Sequence, residues 1–101
     1  MAEKDAQVTL TSTGTTLEAS DFIRVGGAQW FDVSIDIGAG GEVQMERREA
    51  LPDNSGTWGA FKNYIADTEE KGRNATNMDV RANIIAHTAG TMIIRIRKGN
   101  S

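Results

Sequence analysis

The chain has 101 residues, of which 39% are apolar and 25% charged, and its net charge is −3. This size and composition indicate one globular domain with a single core, and the slight acidic surplus argues against a groove that tracks nucleic-acid phosphates. The chain has no cysteine, which excludes disulfides, thiolate zinc sites and cysteine nucleophiles.

Glycines divide the chain into short segments, which is typical of an all-β sandwich or barrel. In the polar N-terminal part, weak alternation of side chains predicts short strands at residues 7–11, 15–19 and 21–25. We expect residues 1–24 to form an N-terminal arm with the first strands, and residues 25–101 to form the body of one domain. Within the first part, residues 1–16 are expected to be an arm that orders when it docks.

The clearest strand is predicted at residues 29–37, where apolar and polar side chains alternate with a period of two. The apolar set would face the core and Trp30 would lie on the opposite face, either covered by a loop or exposed at an interface. A glycine-rich run at 38–41 then leads into a second strand at 42–48. The sequence therefore predicts a β-hairpin from these two strands.

The middle of the chain is rich in polar and turn residues. Residues 51–56 are predicted to form a loop, and residues 67–77, which are charged and contain a glycine, are predicted to form a surface loop. Between them, residues 58–66 carry bulky apolar side chains whose spacing fits either a strand or one face of a helix.

Two strands are predicted at residues 78–87 and 92–98, joined by a tight turn at 88–91. Their outward positions combine apolar and arginine side chains, which protein interfaces favour because arginine has a flat apolar body and several donors. A solvated sheet face is the alternative, since single exposed apolar residues are ordinary on protein surfaces. With the outward Trp30, these positions form the predicted interface: Trp30, Arg81, Ile85, Ile93, Arg95 and Arg97.

Together the segments predict an all-β fold, a small antiparallel β-sandwich of about seven to eight strands, Ig-like or jelly-roll-like.

Few side chains suit catalysis or metal binding, so no catalytic residue, metal ligand or cofactor is predicted. His87, the single histidine, ends a predicted strand, which favours a turn histidine over a general base. Asp32 and Asp36 share a strand face but lie about 13 Å apart, too far for a catalytic pair. Residues 53–56 lack the alternating ligands of a calcium loop.

Three aromatic residues leave a second class of function open, because such side chains stack on sugar rings as well as fill cores. Exposed, coplanar Trp30, Trp58 and Tyr64 on one face would favour a carbohydrate-binding module, and burial of two of them would exclude this function. An unrecognised hydrolase, the third class, would need a pocket that joins His87 to a carboxylate and a hydroxyl.

From residue 25 onward, short motifs follow one another in a fixed order. They are Gly27, 31–35 (FDVSI), Gly40-Gly41, 43–47 (VQMER), 56–58 (GTW), 64–69 (YIADTE), 80–82 (VRA), 86–91 (AHTAGT) and 93–97 (IIRIR). This series resembles a group of short proteins encoded by tailed phages, which are virion proteins of β-sandwich type from the head-decoration and tail-accessory group. The resemblance covers about three-quarters of the chain and leaves out residues 1–24 and 48–52.

The resemblance implies a virion structural protein that is not an enzyme. The short chain, without a coiled-coil or collagen-like stalk, favours a capsid decoration (cement) protein that binds the outer shell across capsomers; a tail-fibre or head–tail adaptor component is the alternative. The expected partners are the major capsid protein or another virion protein and further copies of the chain, with no nucleic acid and no membrane. The resemblance also implies the expected location, which is the virion, assembled in the host cytoplasm. We find no signal peptide and no long apolar stretch, which agrees with this expectation.

Overall fold

The structure is a computed structural model that describes residues 3–4, 7–38 and 40–99. In these ranges the chain forms nine strands. The described residues contain no helical segment that could span a membrane. The strands are β1 Glu3–Lys4, β2 Gln7–Thr13, β3 Phe22–Val25, β4 Trp30–Asp36, β5 Gly41–Glu49, β6 Gly59–Tyr64, β7 Thr68–Arg73, β8 Met78–His87 and β9 Thr91–Lys98.

The strands form two sheets. One has five strands in the order β1-β3-β8-β5-β6, and the other has four in the order β2-β9-β4-β7. Every pairing among the eight strands from β2 through β9 is antiparallel, whereas β1 pairs with β3 in parallel. From β2 to β9, each connection except β5–β6 crosses from one sheet to the other, which gives the strand order of an eight-stranded jelly roll. The predicted all-β sandwich is therefore confirmed, in its jelly-roll rather than its Ig-like form.

The core lies between the sheets and follows the predicted alternation. In β4, Phe31, Val33 and Ile35 are buried, whereas the side chains between them are partly exposed. Burial of an aliphatic side chain of this kind contributes about 1.5–3 kcal/mol relative to exposure. The remaining strands of both sheets add further buried apolar residues to the same cluster. They are Val8, Ile23, Val25, Ile37, Val43, Met45, Tyr64, Val80, Ala82, Ile84, Met92, Ile94 and Ile96.

The hairpin predicted from residues 29–37 and 42–48 is wrong. β4 pairs with β7 and β9, whereas β5 pairs with β6 and β8, so the glycine-rich run carries the chain from one sheet to the other. Gly38 has a φ of 70°, and a Cβ there would collide with the Thr91 carbonyl oxygen. Glycine is required at this crossing because the backbone is left-handed and another strand lies against it.

Three further predictions from the sequence have different outcomes. The surface loop predicted at residues 67–77 is wrong, because β7 lies there and pairs with β4. Its many charged side chains are typical of an edge strand, because such side chains protect the edge from further pairing. The strand alternative for residues 58–66 is confirmed by β6, whereas residues 15–19 form no strand and contribute a single bridge between Ala19 and Asn83.

The N-terminal region is part of the sandwich in the described residues. β2 pairs with β9 along its whole length, from Gln7 opposite Arg97 to Thr13 opposite Thr91, and Val8 belongs to the core. This stretch of the expected docking arm is therefore an edge strand of the four-stranded sheet. Residues 1–2 and 5–6 of that arm lie outside the described residues.

Candidate docking surface

The outward face of the four-stranded sheet, which we call the open face, is built from alternate positions of its strands. Because successive side chains of a strand point to opposite faces, the residues that alternate with the buried ones in β4 and β9 point away from the core. The face consists of Thr9, Thr11 and Thr13 of β2, Ile93, Arg95 and Arg97 of β9, Trp30, Asp32, Ser34 and Asp36 of β4, and Glu69, Lys71 and Arg73 of β7.

The strand register brings opposite charges together at one end of the open face. Asp32 lies between Arg97 of β9 and Lys71 of β7, and Arg97 Nε donates a hydrogen bond to Asp32 Oδ1 at 2.9 Å. The side chain of Arg97 is 54% exposed. An ion pair with this exposure contributes less than about 1 kcal/mol to the stability of the fold. Its main effect is therefore to fix the positions of the two side chains on the surface.

Two shallow grooves follow the central strand β4. One has a volume of about 410 Å³ and is lined by Asp36, Asp67, Glu69, Ile93 and Arg95 among others. The second has a volume of about 290 Å³ and lies toward the Asp32–Arg97 pair. Ser34 lines both grooves, so they form one shallow depression along the open face.

Arg95 is the side chain of this face that is most available to a partner. It is exposed, and its cross-strand neighbours Thr9 and Ser34 are uncharged. In the part of the chain that the structure describes, its guanidinium makes no hydrogen bond and no ion pair. Five donors with fixed geometry are thus free to bind a carboxylate, and the partly exposed Ile93 beside them offers apolar contact.

The structure brings together four of the six predicted interface residues. Trp30, Ile93, Arg95 and Arg97 lie on the open face, with the Trp30 ring 4.7 Å from the Arg73 guanidinium. Arg81 and Ile85 lie on β8, in the other sheet. The prediction that the outward positions of the last two strands form one surface is therefore wrong, because the turn between β8 and β9 crosses between sheets.

The outward face of the five-stranded sheet, which we call the covered face, contains a buried charge network. Asp79 is completely buried, and its two carboxylate oxygens accept hydrogen bonds of 2.8 Å from Arg24 Nε and Arg48 Nε. Arg24 Nη2 also donates to the Leu51 carbonyl oxygen and to Asn54 Oδ1. These contacts tie the loop after β5 to the sheet.

Trp58, at the end of that loop, packs over the same face. The guanidinium carbons of Arg48 and Arg81 lie 4.4 Å and 4.3 Å from its ring centre, and Phe22 meets it edge-on at 5.9 Å. Arg81 also forms an ion pair of 2.7 Å with Glu46. Such cation–π contacts contribute about 2 kcal/mol when desolvated, so Arg81 is held by contacts within its own fold.

A bulge in β8 explains the positions of Ile85 and His87. The pairing of β8 with β5 shifts by one residue at Ile85, between Ile84 and Ala86. Consequently Ile85 is 39% exposed, Ala86 is exposed and His87 is buried. Strict alternation of side chains would place Ala86 inward and His87 outward, and the extra residue reverses both.

The surroundings of His87 do not resemble a catalytic site. Its Nδ1 lies 3.2 Å from the Thr16 carbonyl oxygen and its Nε2 lies 3.2 Å from the Gly90 carbonyl oxygen. Both ring nitrogens therefore contact backbone, whereas a general base needs one of them free for its substrate. The histidine joins the loop before β3 to the turn before β9.

The three aromatic residues that could form a sugar platform lie in three separate places. Trp30 is on the open face, Trp58 is on the covered face, and Tyr64 is buried between the sheets with 8% of its surface exposed. The arrangement that would favour a carbohydrate-binding face, all three residues exposed on one side, is not present. Of the three, only Tyr64 is buried, so the condition for excluding this function is not met either.

Tyr64 takes part in a polar contact where β6 and β7 meet at the open edge of the sandwich. Its hydroxyl donates a hydrogen bond of 2.8 Å to Glu70, which also forms an ion pair of 2.7 Å with Lys62. The hydrogen bonds from Lys62 and then Tyr64 lower the pKa of Glu70 below its ordinary value. Burial, together with the nearby carboxylate, raises the pKa of Tyr64. These contacts join the two sheets at this edge.

Asp53, in the segment compared with a calcium loop, is engaged within its own turn. Its carboxylate accepts hydrogen bonds from the Ser55 hydroxyl at 2.7 Å and the Ser55 amide at 3.2 Å, which lower the pKa of Asp53. Across the described ranges, no three His, Asp or Glu side chains gather in a way that could hold a metal ion.

The comparisons with known proteins give a fold but no family. No family model and no curated protein matches the sequence. Among solved structures, the chain is similar to the SPBc2 prophage-derived protein YomS, with a TM-score of 0.61 and 12% identity over 92% of this chain and 93% of that one. A de novo designed double-stranded β-helix aligns with a TM-score of 0.48 and 14% identity, over 92% and 97% of the two chains. The YomS likeness supports the jelly-roll fold.

Proposed function

We propose that the protein is a non-enzymatic structural component of a phage particle. In this proposal it is a capsid decoration protein whose open face binds the major capsid protein across neighbouring capsomers. The fold likeness to a prophage-derived protein and the ordered motifs from Gly27 to Arg97 support the phage assignment.

The observation that carries the docking role is the difference between the two outward faces. On the covered face, Asp79, Arg48 and Arg81 are paired and largely buried. On the open face, Arg95 is exposed and unpaired within the described residues, next to Ile93. Arginine and apolar side chains together are typical of interface centres, so the open face is the better docking surface.

The chemistry of Arg95 indicates what the partner surface contains. A free guanidinium binds a carboxylate through two parallel hydrogen bonds, and Ile93 favours an apolar patch beside that carboxylate. The open face also carries Asp32, Asp36 and Glu69, so the matching surface needs both signs of charge. Each contact is modest, but repetition over a symmetric shell makes the attachment strong through avidity.

Attachment to particles tests the proposal directly. Phage particles made without the protein are mixed with purified chain, and the bound fraction is measured by co-sedimentation. We expect the wild type to bind and Arg95→Ala to bind at least about tenfold more weakly, as for an arginine at an interface centre. Arg47→Ala is the charge control, since it removes the same charge from an exposed position of the other sheet. Because Arg47 also donates a hydrogen bond to Asn74 and lies over the Phe61 ring, thermal unfolding first checks that this variant is folded.

The outcome that would overturn the proposal is a wild-type chain that stays in the supernatant at every particle concentration. Copy number on the particle then separates the two virion locations. On the order of hundreds of copies on the head indicate decoration, whereas about six or twelve at one vertex indicate a tail or head–tail component.

A further inference from the structure

β2 is an unprotected edge of the four-stranded sheet. It stands at the end of the strand order and pairs with β9 on one side only. Its seven residues, QVTLTST, contain no charge and no proline. Within the described residues, no other strand hydrogen-bonds to its free side. Such a strand is a ready template for pairing with another chain.

The other edges of the two sheets are protected. β7 carries four charged side chains in the sequence TEEKGR. β6 has a register shift opposite Met45 and Glu46 and carries Lys62, and β1 has only two residues. Charges, bulges and short length are the devices by which proteins prevent edge pairing, and β2 has none of them.

We propose that β2 pairs with β2 of a second copy of this chain. The two strands run antiparallel about a two-fold axis, and the two four-stranded sheets become one sheet of eight. The inference goes beyond the proposed function and does not depend on it, because it follows from the edge itself.

The sequence of β2 is self-complementary in one register. Opposite residues in an antiparallel pair share a face, and the register that pairs all seven residues places Leu10 opposite Leu10 of the second copy. Thr9 then lies opposite Thr11 of the second copy, a favourable cross-strand pair, and no charge meets a like charge. Leu10, which packs on the core but is only partly buried, becomes covered. These features favour a second copy over an unrelated strand.

This arrangement has a geometric consequence for the open face. A two-fold axis perpendicular to the joined sheet keeps the outward faces of both copies on the same side. Arg95 and Ile93 of each copy would then belong to one continuous surface twice as wide. A dimer would therefore bind a repetitive surface with two identical sites at fixed spacing.

A charge-swap experiment tests the pairing without any particle. One variant carries Thr9→Glu and Thr11→Glu, and another carries Thr9→Lys and Thr11→Lys; both positions are exposed. Like charges would face each other across either homodimer, whereas a mixture would pair Glu with Lys. By light scattering we expect a dimer for the wild type, at twice 10.9 kDa, at least tenfold weaker dimers for each variant alone, and recovery on mixing.

Matched controls carry the same charges at exposed positions outside β2. Thr57 and Ala66 are replaced together by Glu or by Lys, and these variants are expected to dimerise like the wild type. A wild type that remains monomeric up to high concentration overturns the proposal. So does a dimer that the β2 charges do not weaken, because its interface then lies elsewhere.

Cross-linking gives an independent test, since the natural chain has no cysteine. Leu10→Cys would place two thiols opposite each other across the two-fold axis, within the reach of a disulfide. We expect mild oxidation to convert this variant into a covalent dimer. Lys71→Cys, on the other edge of the same sheet, should stay largely monomeric. Equal cross-linking of both variants would contradict the proposed interface.

Discussion

The two outward faces of this sandwich belong to sheets of similar size, yet their charged side chains differ in burial and in pairing. On the covered face, Asp79 is fully buried between Arg24 and Arg48, and a loop closes over the sheet with Trp58. On the open face, Arg97 and Asp32 form an exposed pair, and Arg95 stays unpaired within the described residues. Nothing in the described chain covers these side chains.

The difference shows how similar outward charges serve stability on one face and recognition on the other. A buried charge must be paired, because an uncompensated charge in the interior costs several kcal/mol. An exposed charge loses little when it is unpaired, since water solvates it. We therefore expect mutations on the covered face to affect folding and mutations on the open face to affect binding.

The largest effect is expected from Asp79→Ala. The substitution leaves the guanidinium groups of Arg24 and Arg48 without their common carboxylate, and breaking such a buried pair costs about 3–5 kcal/mol. Urea unfolding at neutral pH measures the loss. The matched variant on the open face, Asp32→Ala, removes one exposed ion pair and should cost less than about 1 kcal/mol. Equal losses for the two variants would contradict the contrast between the faces.

A smaller effect is expected from Trp58→Ala, which removes the ring that packs on Phe22, Arg48 and Arg81. Because Trp58 is only partly buried, we expect a loss of about 2–3 kcal/mol, less than for a fully buried tryptophan. Among the residues that the structure describes, its buried Nε1 atom has no hydrogen-bond partner. Trp58→Phe should therefore cost much less than Trp58→Ala, and thermal unfolding of both variants checks this order.

Glu70 lies between the two faces, at the edge where β6 and β7 meet, and gives a pH-dependent prediction. Its pKa is lowered in the folded state by Lys62 and Tyr64, so the stabilisation is present above the unfolded pKa. It is lost as the pH falls through the lower folded value. Wild type should be more stable than Glu70→Gln at pH 7. This difference in stability should shrink as the pH falls below the ordinary glutamate pKa of about 4.3 and vanish below the lowered pKa of the folded state. A difference that is constant with pH would mean that the carboxylate charge is not responsible.

The smallest effect on folding is expected from Arg95→Ala. Its guanidinium makes no polar contact within the described residues, so the free energy of unfolding should change by less than about 0.5 kcal/mol. The same variant is the one expected to lose particle binding. A large loss of stability would show that Arg95 supports the fold and would remove the reason for placing the partner on this face.

Much of the fold could be predicted from the sequence because strand alternation is a local property. The period of two from Trp30 to Ile37 identified the core side chains of β4, and the same rule worked for β8 as far as Ile84. It failed after Ile84, where the bulge inserts one residue. The rule also missed β7, because a charged edge strand has an amino-acid composition similar to that of a surface loop.

The candidate site could be predicted only in part. Trp30, Ile93, Arg95 and Arg97 were recognised as outward residues, and they do share one surface. Arg81 was assigned to the same surface because β8 and β9 are adjacent in the sequence. Alternation puts Asp79 at an outward position of β8, but its burial between two arginines depends on β3 and β5, which are distant in the chain.

By itself, the sequence determined which side of each regular strand is apolar, where glycine must break the chain, and that the domain is all-β. These properties follow from side-chain spacing and backbone sterics within a few residues. Only the tertiary structure decided which strands share a sheet, which charges are buried together and which edge stays open. Those outcomes depend on pairing between segments far apart in the chain, and local periodicity carries no information about such partners.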